Sequence, residues 1–320
     1  MNALDITART ALVSLLQIAV VIIGAPLLTG WMRQIKARME GRAGSGVLQP
    51  WRDVFKLVRK HRLDPDGTGP VFRTAPLVGV AVGAVAAGAI PLIATDTAFG
   101  TGIDLIALAG LLAVASGWLA LAGLDTATAF GGMGASREMT IAALAEPTIL
   151  MAVFALSARV GSTNLPSIVA AGAASGTRLA SPGSLLAAVA LAVVVLAECG
   201  RLPVDNPATH LELTMVHEAM VLEYSGPDLA MVELGASMRL AVFLGLWSSL
   251  FIPFGIATST GTGALAVGIV VFAAKTALLG ALLAVGEVLM AKLRLFRVPE
   301  LLAGSFLLGV LAVAASFFLA

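Results

Sequence analysis

Carboxylates inside apolar runs are the residues of this chain with the most chemistry to offer. Glu146 stands beside Pro147 within the run 136–158. Hydrocarbon disfavours the charged form of an acid, so such a group can take up and release a proton. The competing reading is a hydrogen-bonded structural acid. Glu138 follows Arg137 near the start of the same run, where it carries protons or simply pairs with the arginine and favours the helix dipole. The densest polar segment reads AECGRLPVDNPATHLELTMVHEAMVLEYSG from Ala197 to Gly226, between long apolar runs. Glu198 and Arg201 are three apart, hence neighbours on a helix, as an ion pair or as a proton entry. Glu212 and Glu223 extend a route toward Glu146, while Asp205 and Glu212 also suit capping. Tyr224, the only tyrosine, donates to a cofactor headgroup or sits at the membrane interface. Lys275 falls inside the run 262–286, which Glu287 ends. A lone lysine there needs an acid partner or loses its proton, as a relay or as half of an ion pair.

Other chemistries are excluded by what the chain lacks. One cysteine, Cys199, supplies neither an iron–sulfur cluster nor a disulfide framework within one copy. His210 and His217 are seven apart, whereas zinc prefers ligands one turn apart and further partners. No metal site, bound cofactor or catalytic residue is assigned to this chain, and any redox centre belongs to a partner subunit. The glycines of Gly131–Gly134 lack both a phosphate-loop and a Rossmann context and read as a loop before the run 136–158. No Ser/His/Asp order stands out, and no basic tail suggests nucleic acid.

Elements of one kind must position these groups. Hydrophobic residues make up 58% of 320 positions, charged residues 12%, and mean hydropathy is +0.97. The class is all-α: a polytopic membrane protein, since runs of this length without strand alternation span only as helices. Eight spans are expected, roughly 10–31, 73–94, 103–123, 136–158, 183–200, 238–257, 262–286 and 299–319. The run Ala11–Leu28 reads as an uncleaved first span, with Arg9 before it and a basic segment from Arg33. Ten basic residues between Arg33 and Arg73, with Arg137, Arg201, Arg239, Lys292, Arg294 and Arg297, fall in loops on one side. The positive-inside rule makes that side cytoplasmic and places both termini outside. The chain thus reads as a single integral membrane domain, 1–320, with cytoplasmic loops at about 32–72 and 201–237. Within the first loop, Val47, Trp51, Val54, Phe55 and Val58 recur at helical spacing between basic residues. Val47–Arg62 is an amphipathic helix, with Pro50 in its first turn, that anchors to lipid or docks a peripheral subunit. In the second loop a helix is expected from Asn206–Pro207, closed by Gly226–Pro227, with Thr209 and Glu212 as a rival capping start.

These residues resemble the complex I membrane subunit 1 family. Arg201-Leu-Pro203-Val-Asp205, Glu212 and Glu223-Tyr224-Ser225-Gly226 are similar to its signature. Gly41-Arg42, Gly46-Val-Leu-Gln49-Pro50 and Asp53 with Lys56-Leu57 resemble its first cytoplasmic loop, and Ala135-Ser136-Arg137 with Glu146-Pro147 its fourth span. The stretch Pro203-Val-Asp205-Asn206-Pro207-Ala-Thr-His210-Leu-Glu212-Leu resembles most the branch of formate hydrogenlyase and hydrogenase-4, energy-converting [NiFe] hydrogenases. The resemblance implies a membrane-anchoring, ion-coupling subunit (proton or sodium) of a membrane-bound [NiFe] hydrogenase in a bacterial or archaeal cell membrane. Expected partners are hydrogenase large and small subunits, which hold the [NiFe] centre and iron–sulfur clusters, and antiporter-like membrane subunits. The expected ion pathway comprises Glu146, Glu198, Glu212, Glu223, Asp205, Arg137, Arg201 and Lys275. The alternative is the quinone-site subunit of a complex I type NADH dehydrogenase, with Tyr224 at a quinone-like cavity. Ala208-Thr-His210-Leu-Glu212-Leu replaces the denser Glu-Ala-Glu-Gln-Glu-Leu cluster of complex I, which favours the hydrogenase branch.

Overall fold

A computed structural model describes residues 3–100, 103–174, 181–205 and 215–318. Its helices are α1 (Ala3–Met39), α2 (Gln49–Val58), α3 (Pro70–Ala89), α4 (Leu105–Asp125), α5 (Ala129–Val160) and α6 (Leu165–Ala174). They continue as α7 (Pro182–Glu198), α8 (His217–Val221), α9 (Gly226–Phe251), α10 (Thr262–Leu289) and α11 (Val298–Phe318). The described residues contain no strand longer than one parallel bridge, Ala94 to Ala257.

Seven helices among the described residues are long and apolar enough to cross a membrane: α1, α3, α4, α5, α9, α10 and α11 with its preceding turn. The remaining expected span, 183–200, is α7, an apolar helix of 17 residues. The chain is a multi-pass membrane protein. α5 lies at the centre of one half, against α4, α7 and α11, while α9 packs on α3 and α1, and α1 on α10. Small residues permit these approaches.

The chain end of α3 shows how polar backbone is handled in this setting. Helical bonding stops near Ile90; the Leu92 N–H turns to the Ile90 carbonyl at 2.8 Å, and the N–H groups of residues 93 and 94 need other acceptors. Gln17 of α1, fully buried, supplies one: its Oε1 accepts from Leu92, Ile93 and Ala94 at 3.1, 2.8 and 3.3 Å. Its Nε2 donates to the carbonyls of Ala87 and Ile90 at 3.4 and 3.3 Å.

Several boundaries differ from the sequence reading. The glycines of Gly131–Gly134 are helical, inside α5, not a loop. The reason is contact: a Cβ at Gly134 would stand 2.9 Å from the Val216 carbonyl oxygen, so α8 crosses α5 only over a bare backbone. The helix expected from Asn206 is not continuous to Gly226; residues 206–214, with His210 and Glu212, lie outside the described residues, and only His217–Val221 is helical before α9. Gly226–Pro227 opens α9 instead of closing a helix, so α9 starts well before 238. Pro227 fits because a first turn needs no N–H from it. The amphipathic helix is shorter than expected, Gln49–Val58, with Pro50 in its first turn.

Gly226 is doubly constrained. Its φ is +52°, and a Cβ there would lie 2.6 Å from the His61 carbonyl oxygen. Gly226→Ala is expected to cost about 1–3 kcal/mol through the backbone conformation alone. It should also loosen residues 60–64, seen as faster proteolysis there in the purified protein.

Candidate functional site

Glu198, the last residue of α7, turns inward and is met by Arg239 of α9 in a buried ion pair. The same guanidinium donates to the Ser116 hydroxyl of α4 and lies 5.7 Å from the centroid of the Phe243 ring. Burial makes a lone charge costly, so Glu198 and Arg239 are tolerated only as partners. Glu138 of α5 is also buried and interacts electrostatically with both. Glu146, two turns further along α5 and half-buried, lies in the field of the same two groups. Glu198 alone contacts the guanidinium, and Glu138 and Glu146 interact with it at longer range.

A small cavity of about 50 Å³ adjoins this cluster between α3, α4 and α9. Its walls are apolar or small, including Pro76, Gly79, Leu112 and Gly235, and its polar lining residues are Arg239 and His217.

A second set of charges ties the chain together beside the first. Glu287, at the end of α10, is buried against Lys36 of α1, with Arg201 Nη1 at 3.7 Å. Arg201, just beyond the end of α7 and so not the helix neighbour of Glu198, faces Glu287, while Glu198 faces Arg239. Asp205 Oδ1 receives Lys292 Nζ at 2.7 Å, while Oδ2 accepts the His217 backbone N–H at 3.4 Å. Arg137 donates to the Met215 carbonyl at 2.7 Å and so holds the start of the segment that leads into α8.

The remaining expected site residues are dispersed. Lys275 donates to the carbonyls of Ile252 and Phe254, where α9 has just ended, and not to an acid. It lies roughly 20 Å along α9 from Arg239 at 1.5 Å per residue. Glu223 is half-buried between α8 and α9. Tyr224 is buried, stacked on Phe72 with centroids 4.1 Å apart, and donates its hydroxyl to the Phe72 carbonyl at 2.9 Å. It is not among the residues lining the cavity. Among the described residues no group of three or more His, Cys, Asp or Glu is placed to hold a metal ion.

Arg239 is the residue sequence reasoning missed. It counts there as a loop charge, yet it sits inside α9, thirteen residues beyond Gly226. The available signal was its isolation: from Met238 to Leu250 it is the only charged residue.

His217 gives this region a pH response. Burial pushes its imidazole pKa down to about 4, Arg239 and Arg201 act in the same direction, and Asp205 opposes them. A depressed folded pKa means that the unfolded chain binds the proton first. Stability is therefore full above about pH 6.5 and is lost as pH falls toward 4, by about 1.4 kcal/mol for each unit of separation. Thermal unfolding from pH 7.5 to 4.5 should show this loss, and His217→Gln should flatten it.

The sequence profile of a family described as NADH dehydrogenase matches residues 11–318. Hydrogenase-4 component C of Escherichia coli (strain K12) is 35% identical over 300 residues, 93% of each chain. Formate hydrogenlyase subunit 4 of the same organism is 34% identical over 91% of this chain and 94% of that one. Among solved structures, a chain of the membrane-bound sulfane sulfur reductase, an archaeal respiratory membrane complex, superposes with a TM-score of 0.81. It is 20% identical, with 95% of this chain and 98% of that chain covered, a likeness of fold. With its membrane-spanning helices, its ordered motifs and these relatives, the chain belongs to the NADH dehydrogenase membrane subunit 1 family of complex I, on the side of the hydrogenase-4 and formate hydrogenlyase subunits.

Proposed function

We propose that this chain is the membrane-anchoring and ion-coupling subunit of a membrane-bound [NiFe] hydrogenase complex. The observation that carries this reading is the cluster of buried Glu138 and Glu198 with half-buried Glu146 near Arg239, beside a cavity between α3, α4 and α9. The names of the two Escherichia coli relatives support the hydrogenase partner. In this reading, hydrogenase large and small subunits dock on the loops after α1, α4, α7 and α10. Those loops are cytoplasmic in a bacterial or archaeal cell membrane, with both termini outside. The partner subunits hold the [NiFe] centre and iron–sulfur clusters and deliver electrons to protons. This chain moves no electrons. Its acids take up protons, or exchange them for sodium, and pass charge toward antiporter-like membrane neighbours. Glu146, Glu198, Glu212 and Glu223 carry the charge, Arg137, Arg201 and Asp205 shape the route, and Lys275 sets the field at its far end. The whole chain, 1–320, acts as one membrane domain.

The test is Glu146→Gln in the assembled complex, with hydrogen turnover and ion uptake measured together in sealed vesicles. The expected result is intact assembly with ion uptake per hydrogen reduced roughly tenfold or more, the loss of one essential proton carrier. Unchanged uptake would remove Glu146 from the pathway. A second reading, a quinone-site subunit of a complex I type enzyme, draws on the apolar cavity ending at Arg239 and His217. It requires quinone-site ligands to inhibit turnover, and NADH-oxidising subunits to purify with the chain.

A further inference from the structure

A second gap, about 310 Å³, lies between α1, α9 and α10. Val20, Gly24 and Leu28 line it on α1, Ala241 on α9, and Phe272 and Ala273 on α10. The polar groups on its walls are already used. The Trp31 indole N–H donates to the Ala277 carbonyl at 3.2 Å, and the Thr276 hydroxyl to the Phe272 carbonyl at 2.9 Å. The walls therefore suit hydrocarbon and offer nothing to a polar ligand. Gly24 faces open space, for a Cβ there would meet nothing within 4 Å.

Length and surroundings narrow the occupant. The α1 wall from Val20 to Trp31 rises roughly 16 Å at 1.5 Å per residue, about half of the ~30 Å hydrocarbon thickness of a bilayer. That is the depth of one leaflet. Two residues of the wall, Trp31 and Ala273, are themselves exposed, and such a surface in a multi-pass protein faces lipid or a membrane neighbour. Val47, just before α2, closes one end of the gap. α2 exposes Phe55 and Val58 beside Arg52, Lys56, Arg59 and Lys60. Its single acid, Asp53, is engaged by Gln49 at 2.8 Å and faces Arg33 at 3.9 Å. Exposed basic groups at a headgroup layer attract anionic lipid by about 1 kcal/mol each.

We infer that this gap holds one acyl chain of an anionic glycerophospholipid whose headgroup rests on the basic side of α2. The lipid fills the seam between α1 and α10 and joins the amphipathic helix to the bundle.

The test uses the intact membrane assembly, purified in mild detergent without added lipid, and mass spectrometry of what an organic solvent extracts. About one anionic phospholipid per copy of this chain should survive extensive washing. Gly24→Leu and Ala273→Leu each put a side chain into the gap and should lower retention roughly tenfold, the change that about 1.4 kcal/mol of lost contact produces. A variant with Arg52, Lys56, Arg59 and Lys60 all changed to Gln should keep a phospholipid but exchange anionic for zwitterionic headgroups. Retention that neither filling variant alters would overturn the proposal. So would an isoprenoid quinone in place of phospholipid, or unchanged headgroups in the glutamine variant.

Discussion

Replacing Arg239 by leucine is expected to cost about 3–5 kcal/mol of stability, because it strands a buried carboxylate. Glu198 is buried and pairs with this guanidinium, and Glu138 shares its field. The Ser116 hydroxyl loses its donor at the same time. Thermal unfolding of the purified assembly should drop sharply, with little Arg239→Leu chain retained in the complex. Adding Glu198→Leu should recover most of the loss, since removing both charges leaves neither to be solvated. A double-mutant cycle therefore separates stability from the proposed coupling: the double variant should assemble and, on that proposal, still fail to support ion uptake. If Arg239→Leu were as stable as wild type, the pair would not hold α7 to α9.

Gln17→Leu is expected to be the most damaging change outside the charged cluster. One side chain satisfies three backbone N–H groups and two carbonyls where α3 gives way to extended chain. Leucine has a similar volume and fills the space, so the cost is almost purely polar. A buried donor left without a partner costs about 1–3 kcal/mol; Ile93 and Ala94 would each lose theirs, while Leu92 keeps the Ile90 carbonyl at 2.8 Å, so the loss is at least about 2 kcal/mol. Heat denaturation and protease cleavage within residues 91–100 should both report it. Ser14 should be less sensitive, for its hydroxyl makes only two bonds here, to the Gly88 carbonyl at 3.4 Å and from the Ala98 N–H at 2.9 Å. A Gln17→Glu variant would keep the acceptor, lose the donors and introduce charge, and belongs between the two.

The sequence by itself determined the class, the family and nearly the whole set of spans. Apolar runs of about 20 residues have one solution in a bilayer, because every backbone polar group must be satisfied within the segment. The same holds for α2, whose apolar residues repeat at the helical period. Only the tertiary structure decided which charges meet. Glu198 has Arg201 three residues away, yet its partner is Arg239, on another helix. Lys36 and Glu287 come from opposite ends of the chain and share one buried contact. Lys275 finds two backbone carbonyls, where the sequence left an acid partner and a lost proton both open. The start of α9 at Gly226 and the helical glycines of α5 were hidden for a related reason. Local composition marks a polar or glycine-rich stretch as a loop, but whether it is helical depends on what crosses it, and at Gly134 that is α8. Hydropathy acts along the chain and can be read there; pairing of buried charges acts across it, and its strength depends on distances that only packing sets.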